Sequence, residues 1–153
     1  MSSAYLDGLK MLARRELSES QVRQRLARKE HDTEAIDEAV ARLKAERAID
    51  DARTAAAIAR TETSVKRHGR LRVTQAIAKA GIGRSTARRA LDEVFETIDD
   101  GALIEAALAK RLRGREKIAD DKEFARLYRY LVGQGFESDR VMKTLEARRR
   151  SRR

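Results

Sequence analysis

The chain of 153 residues contains no cysteine, no proline and no tryptophan. Without thiols there can be no disulfide, thiolate zinc site or cysteine nucleophile, and a reducing, cytoplasmic setting fits. Three Tyr and three Phe are the whole aromatic complement, which leaves little bulky material for a wide core and favours an extended shape. No apolar run approaches the ~18 to 20 residues that cross a bilayer, so no membrane partner is expected. The opening MSSAYLDGLKM lacks the basic and then apolar segments of a signal peptide.

Catalysis lacks an inventory. His31 and His68 are the two imidazoles, and the serines at the repeat starts are better explained as caps, so no nucleophile and base pair is suggested. Neither GxxxxGK[ST] nor a GxGxxG following a strand is present, so no phosphate loop is expected. The acidic doublets Asp50–Asp51, Asp99–Asp100 and Asp120–Asp121 could hold magnesium, but no third ligand is spaced to join them. Each precedes a predicted helix, where aspartate caps free N–H groups and favours the positive end of the dipole. The expectation is a protein with no enzymatic activity, no cofactor and no metal.

What remains is rich in Ala, Arg, Leu, Glu and Lys, with glycines at junctions, and reads as all-α. A length within the ~100 to 200 residues of one domain suits one modest core or a short array. Leu6, Leu9, Leu12 and Ala13 suggest a first helix over residues 4–16. Ser18 and Gln21 form a capping box that starts a second helix near Glu19, with Val22 and Leu26 inward. Asp32 or Thr33 caps a third helix with the stripe Ile36, Ala39, Val40 and Leu43.

The same order recurs. QVRQRLARKEHDTEAIDEAVARL at 21–43 aligns without gaps to RVTQAIAKAGIGRSTARRALDEV at 72–94 and RLYRYLVGQGFESDRVMKTLEAR at 126–148, with apolar residues in register at the inward positions. Gly81 and Gly135 coincide at the end of each second helix, where a left-handed residue is needed. Glu30 stands at that position in the first copy, so either its turn differs or Glu30 is strained. Further helices are expected at 51–66 and 101–113. The predicted fold is all-α: three tandem three-helix repeats (1–50, 51–98 and 99–150) in an elongated array free to curve, and a basic tail, 151–153. KRHGRLR and RLRGREK read as mobile basic connectors between helices. His31, aligned with Ile82 and Phe136, should half-bury its ring, and His68 should lie in a solvated loop or touch phosphate.

Thirty-five Lys and Arg against twenty-five Asp and Glu give +10, which favours polyanionic partners. Residues 1–53 hold eleven basic and eleven acidic side chains, 54–98 nine and four, and 99–153 fifteen and ten, so the excess lies beyond the first repeat. Arg72, Gln75 and Lys79 share a face opposite Val73 and Ile77, Arg84 and Arg88 lie four apart on the next helix, and Arg67 and Arg70 extend the stripe. This set could track a phosphate backbone, or be an ordinary solvated face. The tail adds Arg148, Arg149 and Arg150 as candidate contacts, or else is a frayed end that touches nothing specific. GIGRSTARRAL is similar to the turn and second helix of a helix-turn-helix, which would present Arg84, Ser85, Thr86 and Arg88 to bases, although the repeat register already accounts for its apolar positions. A sequence-specific DNA-binding repressor is therefore the alternative reading.

Three segments, YLDGLKMLARRELSESQVRQRL at 5–26, AIDDAR at 48–53 and DKEFARLYRYLVGQGFESDRVMKTL at 121–145, resemble in order and spacing the RecX family of bacterial regulators, over about residues 4–147. The family commonly has Gly and an aromatic where this chain has Glu30 and His31, and an aromatic near Thr54 and Ala55. The resemblance implies tandem three-helix repeats and a monomer that lies in the helical groove of the RecA recombinase filament on DNA. It also implies inhibition of ATP hydrolysis, strand exchange and stimulated repressor self-cleavage. Single-stranded and double-stranded DNA would be bound weakly, without strong sequence preference.

Overall fold

The computed structural model describes residues 2–149. Among them are nine α-helices: α1 Ser3–Arg14, α2 Glu19–Arg28, α3 Thr33–Ala45, α4 Asp51–Ser64, α5 Arg70–Lys79, α6 Arg84–Glu96, α7 Asp100–Leu112, α8 Asp121–Gly133 and α9 Ser138–Glu146. The fold is all-α, and an isolated bridge between Ile118 and Arg149 is its β pairing among these residues. No helix among them is long and apolar enough to cross a membrane. The twelve positions that the repeat register places inward are all buried: Val22, Val73 and Leu127; Leu26, Ile77 and Leu131; Ile36, Ala87 and Val141; Val40, Leu91 and Leu145. A buried aliphatic side chain of this size is worth about 1.5–3 kcal/mol, so the register carries much of the stability.

The chain forms two compact units. One holds the described residues up to Ile58 together with Ala76–Ala90; the other holds Ala59–Gln75 together with the described residues from Leu91 onward. The division thus runs inside α4, α5 and α6.

In the first unit α1, α2 and α3 enclose a core of Leu17, Val22, Leu26, Ile36, Ala39, Val40, Leu43 and Ile49. The Ser18–Gln21 capping box and the Asp32 cap are both present. The buried face of α1 differs from the leucine stripe expected: Ala4, Tyr5 and Gly8 are buried, Leu9 and Leu12 are partly so, and Leu6 is 41% exposed. The cause is close approach by α3. A Cβ on Gly8 would stand 2.7 Å from Leu43 Cδ1, and the Tyr5 hydroxyl donates to Glu46 at 2.6 Å. Glu30 has φ 64°, so the α2–α3 turn keeps the left-handed form and Glu30 bears the strain. The AIDDAR segment is stitched at both ends. Asp50 caps Arg53 N, Asp51 accepts from Glu19 N at 2.8 Å, and the Arg53 guanidinium reaches Arg47 O, Ala48 O and Glu16.

A further contact in this unit seats the α5–α6 turn on the start of α2. Ser18 Oγ donates to Ala80 O at 2.5 Å, and a Cβ on Gly81 (φ 78°) would fall 2.5 Å from Ser20 Oγ. The second unit contains the same contact one repeat later. Gly69 N donates to Gln134 O at 2.8 Å and Leu71 N to Gly135 O at 3.1 Å, while a Cβ on Gly135 (φ 98°) would stand 2.5 Å from Arg72 N. In the repeat register Gly69 is equivalent to Ser18, and Gln134 and Gly135 to Ala80 and Gly81. The glycines at these turns serve two ends at once, the left-handed backbone and the near approach of a neighbouring chain segment.

The second unit's core is Ile104, Leu108, Leu112, Ile118, Phe124, Leu127, Leu131, Phe136, Val141 and Leu145, from α7, α8 and α9 and the α7–α8 connector. Asp99 and Asp120 cap α7 and α8 by accepting from Ala102 N and Glu123 N. Both connectors are anchored, contrary to the expectation of mobility. In 65–69 the His68 ring, 12% exposed, meets Glu62 at 2.5 Å, so it is neither a solvated loop residue nor available to phosphate. In 113–120 Ile118 is buried and its N–H donates to Arg148 O at 2.8 Å.

Candidate nucleic-acid interface

The predicted stripe divides between the two units. On α5, Arg72, Gln75 and Lys79 are exposed while Val73 and Ile77 are fully buried, as helical spacing requires. Lys79, Arg84 and Arg88 belong to the first unit; all three are exposed and have no ion pair among the described residues. Arg67, Arg70, Arg72 and Gln75 belong to the second. Arg67 is exposed with φ 57°. Arg70 is paired with Asp92 and lies over the Phe95 ring at 5.7 Å, and Arg72 donates to Gly133 O at 3.1 Å.

The candidates near the end of the chain are committed within the fold. Arg148 pairs with Glu105 at 2.7 Å and donates to Glu116 O. Arg149 pairs with Asp121 at 2.9 Å and stacks on Phe124 at 4.0 Å. These contacts hold the segment after α9 against the α7–α8 connector, so neither arginine frays. Arg150 and the tail 151–153 lie outside the described residues.

Sequence reasoning missed two basic clefts, each between the first and second helix of a bundle. One, about 440 Å³, is lined on α1 by Asp7, Lys10, Met11 and Arg14, with Arg15 following, and on α2 by Arg25 and Arg28, with Lys29 following. The other, about 760 Å³, is lined by Lys110, Arg111, Arg113 and Arg115 on one side and Glu123, Arg126, Leu127 and Tyr130 on the other. Charge totals by segment hid the first, because the first repeat's charges cancel in sum but not in space. Helical projection of Lys10 and Arg14 on α1 with Arg25 and Arg28 on α2 was the available signal.

Electrostatics differ between the clefts. In the α7–α8 cleft Arg115 holds Glu123 with two hydrogen bonds, 2.7 and 3.0 Å. That pair, with a third bond from Ala119 N, pulls the Glu123 carboxyl down to about 2. Arg111 lies flat on Tyr130 at 3.6 Å, a cation–π contact that fixes the guanidinium while leaving its edge donors free. In the α1–α2 cleft the one carboxylate, Asp7, accepts from His31 at 2.7 Å, and that hydrogen bond holds it below the usual carboxylate range. His31 is thus largely buried, as expected, but against an acid. Glu62, behind the 65–69 connector, is raised by burial yet ends below its ordinary value, because hydrogen bonds from His68 and Lys66 outweigh the burial. These features place several guanidinium groups along each cleft; among the described residues no group of three or more His, Cys, Asp or Glu could hold a metal.

Known proteins share both sequence and fold with this chain. Residues 4–43 match the family model described as RecX, first three-helix domain. The regulatory protein RecX of Halorhodospira halophila is 31% identical over 134 residues, 87% of this chain and 80% of that protein. That of Syntrophotalea carbinolica is 29% identical over 138 residues, 90% of each. The crystal structure of RecX from Lactobacillus salivarius superposes with a TM-score of 0.75 at 20% identity, over 94% of this chain and 93% of that one, a likeness of fold. With a relative 31% identical over most of both chains, the chain belongs to the RecX family of regulatory proteins.

Proposed function

We propose that the protein is a non-catalytic, monomeric, cytoplasmic modulator that lies in the groove of the RecA–DNA filament, touches neighbouring RecA subunits, and inhibits ATP hydrolysis, strand exchange and the coprotease activity. Its repeats 1–50, 51–98 and 99–150 are the units that meet successive sites. The observation that carries this reading is the distribution of cations within a RecX-family chain. Arg67, Lys79, Arg84 and Arg88 are exposed without an ion pair among the described residues, and the two clefts are lined mainly by Lys and Arg. Such a surface suits a polyanion-filled partner.

The test is RecA ATPase on single-stranded DNA. Substoichiometric protein should lower it; unchanged ATPase and strand exchange at saturation would remove the reading. The triple change Arg72→Ala, Lys79→Ala and Arg88→Ala should weaken inhibition at physiological salt, and undiminished inhibition would make the protein an adaptor that works without this face.

One observation favours a second reading, a sequence-specific DNA-binding repressor: Arg84, Ser85 and Arg88 are exposed at the start of α6. It requires strong preference for one duplex, with Arg88→Ala costing about 1 to 3 kcal/mol there. Indiscriminate, salt-sensitive binding favours the filament reading.

A further inference from the structure

In the α1–α2 cleft, Lys10, Arg14, Arg15, Arg25 and Arg28 have neither an ion pair nor a side-chain hydrogen bond among the described residues. The rest of the bundle behaves differently. Arg23 is held by Glu19 and Asp37, Arg42 by Glu46, Lys44 by Glu19 and Arg53 by Glu16. Asp7 could neutralise the cleft, but His31 occupies it at 2.7 Å, with Lys29 at 3.8 Å. A bundle whose charges nearly cancel therefore gathers most of its unmatched cations in one recess, Arg47 being the exception outside it.

That sorting carries an energetic cost. Lys10 and Arg14 are four apart on α1, and Arg25 and Arg28 three apart on α2, spacings at which like charges repel. The negative end of a helix dipole favours a cation in each last turn. This accounts for Arg14 or Arg28 singly, but not for the meeting of cations from two helices where no free carboxylate faces them. An anion bound between the helices would offset the repulsion.

We infer that the α1–α2 cleft is a phosphodiester seat, which grips the backbone of a nucleic-acid strand through Arg14, Arg25 and Arg28 without reading its bases. The lining favours nucleic acid over an acidic protein surface. Protein interfaces are centred on apolar or aromatic anchors and carry few charged residues at their core, whereas Met11 is the one apolar side chain lining this cleft. It offers no aromatic platform or side-chain amide for a base, and contacts to phosphate alone position a strand without specifying it. The inference does not depend on the filament reading, because it concerns naked DNA.

The experiment measures anisotropy of a fluorescein-labelled, mixed-sequence oligonucleotide of about thirty nucleotides, single-stranded and as duplex, between about 50 and 200 mM salt. The full chain carrying R14Q, R25Q and R28Q should bind both forms about 10-fold or more weakly at low salt, with the log–log salt slope shallower by about 2 to 3. The same charge change on and just after α3, R42Q with K44Q and R47Q, should lose far less. R14K with R25K and R28K should keep the slope, which guards against misfolding of the glutamine variant. Equal losses for the two glutamine triples, or a lost slope in the lysine triple, would overturn the seat. So would a cleft variant that loses poly-glutamate binding but keeps DNA, since that assigns the recess to an acidic protein partner. Any of these results leaves the RecA ATPase test unaffected.

Discussion

Glu123 shows how one carboxylate can hold a connector in place. It is 14% exposed, takes both donors of Arg115 and the N–H of Ala119, and its pKa falls from 4.5 to about 2. A carboxyl depressed in the folded state adds stability above its unfolded pKa and loses it as pH falls through the folded one. Glu123→Gln should therefore lower the unfolding free energy by about 1 to 2 kcal/mol at pH 7. The gap between variant and parent should close between about pH 5 and pH 2. Urea titrations across that range check it; a gap independent of pH would mean that the ion pair contributes nothing. At this scale little was legible beforehand. Glu123 reads as an ordinary first-turn acid of α8, and His68 as a loop residue, because their partners depend on how connectors fold back. Asp50, Asp99 and Asp120 were legible, since a cap is a contact over three residues and needs no tertiary information.

The helices themselves were legible for the same reason. Periodicity located Val22, Leu26, Ile36 and Val40 and their counterparts, and the expected limits differ from the observed ones by a residue or two at most ends. The face of α1 was misread because Gly8 and Tyr5 score poorly as apolar residues, while the nearness of Leu43 rewards a small side chain there. The contact between the start of one second helix and a later turn was also hidden, being made to backbone carbonyls more than sixty positions away. It makes a strong prediction. Ser18→Ala removes a cap and leaves the Ala80 carbonyl without its donor, a loss of about 2 to 3 kcal/mol. Gly135→Ala adds a left-handed penalty and a clash with backbone at Arg72, about 3 kcal/mol or more. Equilibrium urea unfolding measures both; a loss below about 1 kcal/mol in either would show that the contact is slack.

For the molecule as a whole, each unit contains one copy of this contact, so neighbouring repeats are coupled through two similar points. In tandem-repeat proteins stability is close to a sum of repeat and nearest-neighbour terms. Weakening both points in a Gly81→Ala, Gly135→Ala double variant should broaden or split a single unfolding transition, as followed by circular dichroism, while the helical signal at low denaturant persists. A double variant that still unfolds in one sharp step would place the coupling elsewhere. Charge at this scale was half legible: the total of +10 is there in the sequence, but its placement in clefts needed the fold.

The requirement for glycine in these turns has a consequence for self-assembly. A part that stacks on a copy of itself can, in principle, keep adding copies from other chains, since a head-to-tail contact that does not close grows into a filament. Here the corresponding turn in the first repeat carries Glu30, which bears a Cβ at a left-handed position where Gly81 and Gly135 have none. At the other end, the position equivalent to Ser18 and Gly69 is Glu123, already clasped by Arg115. Glutamate thus stands at both end positions of the series, where the inner copies of the contact have glycine or serine.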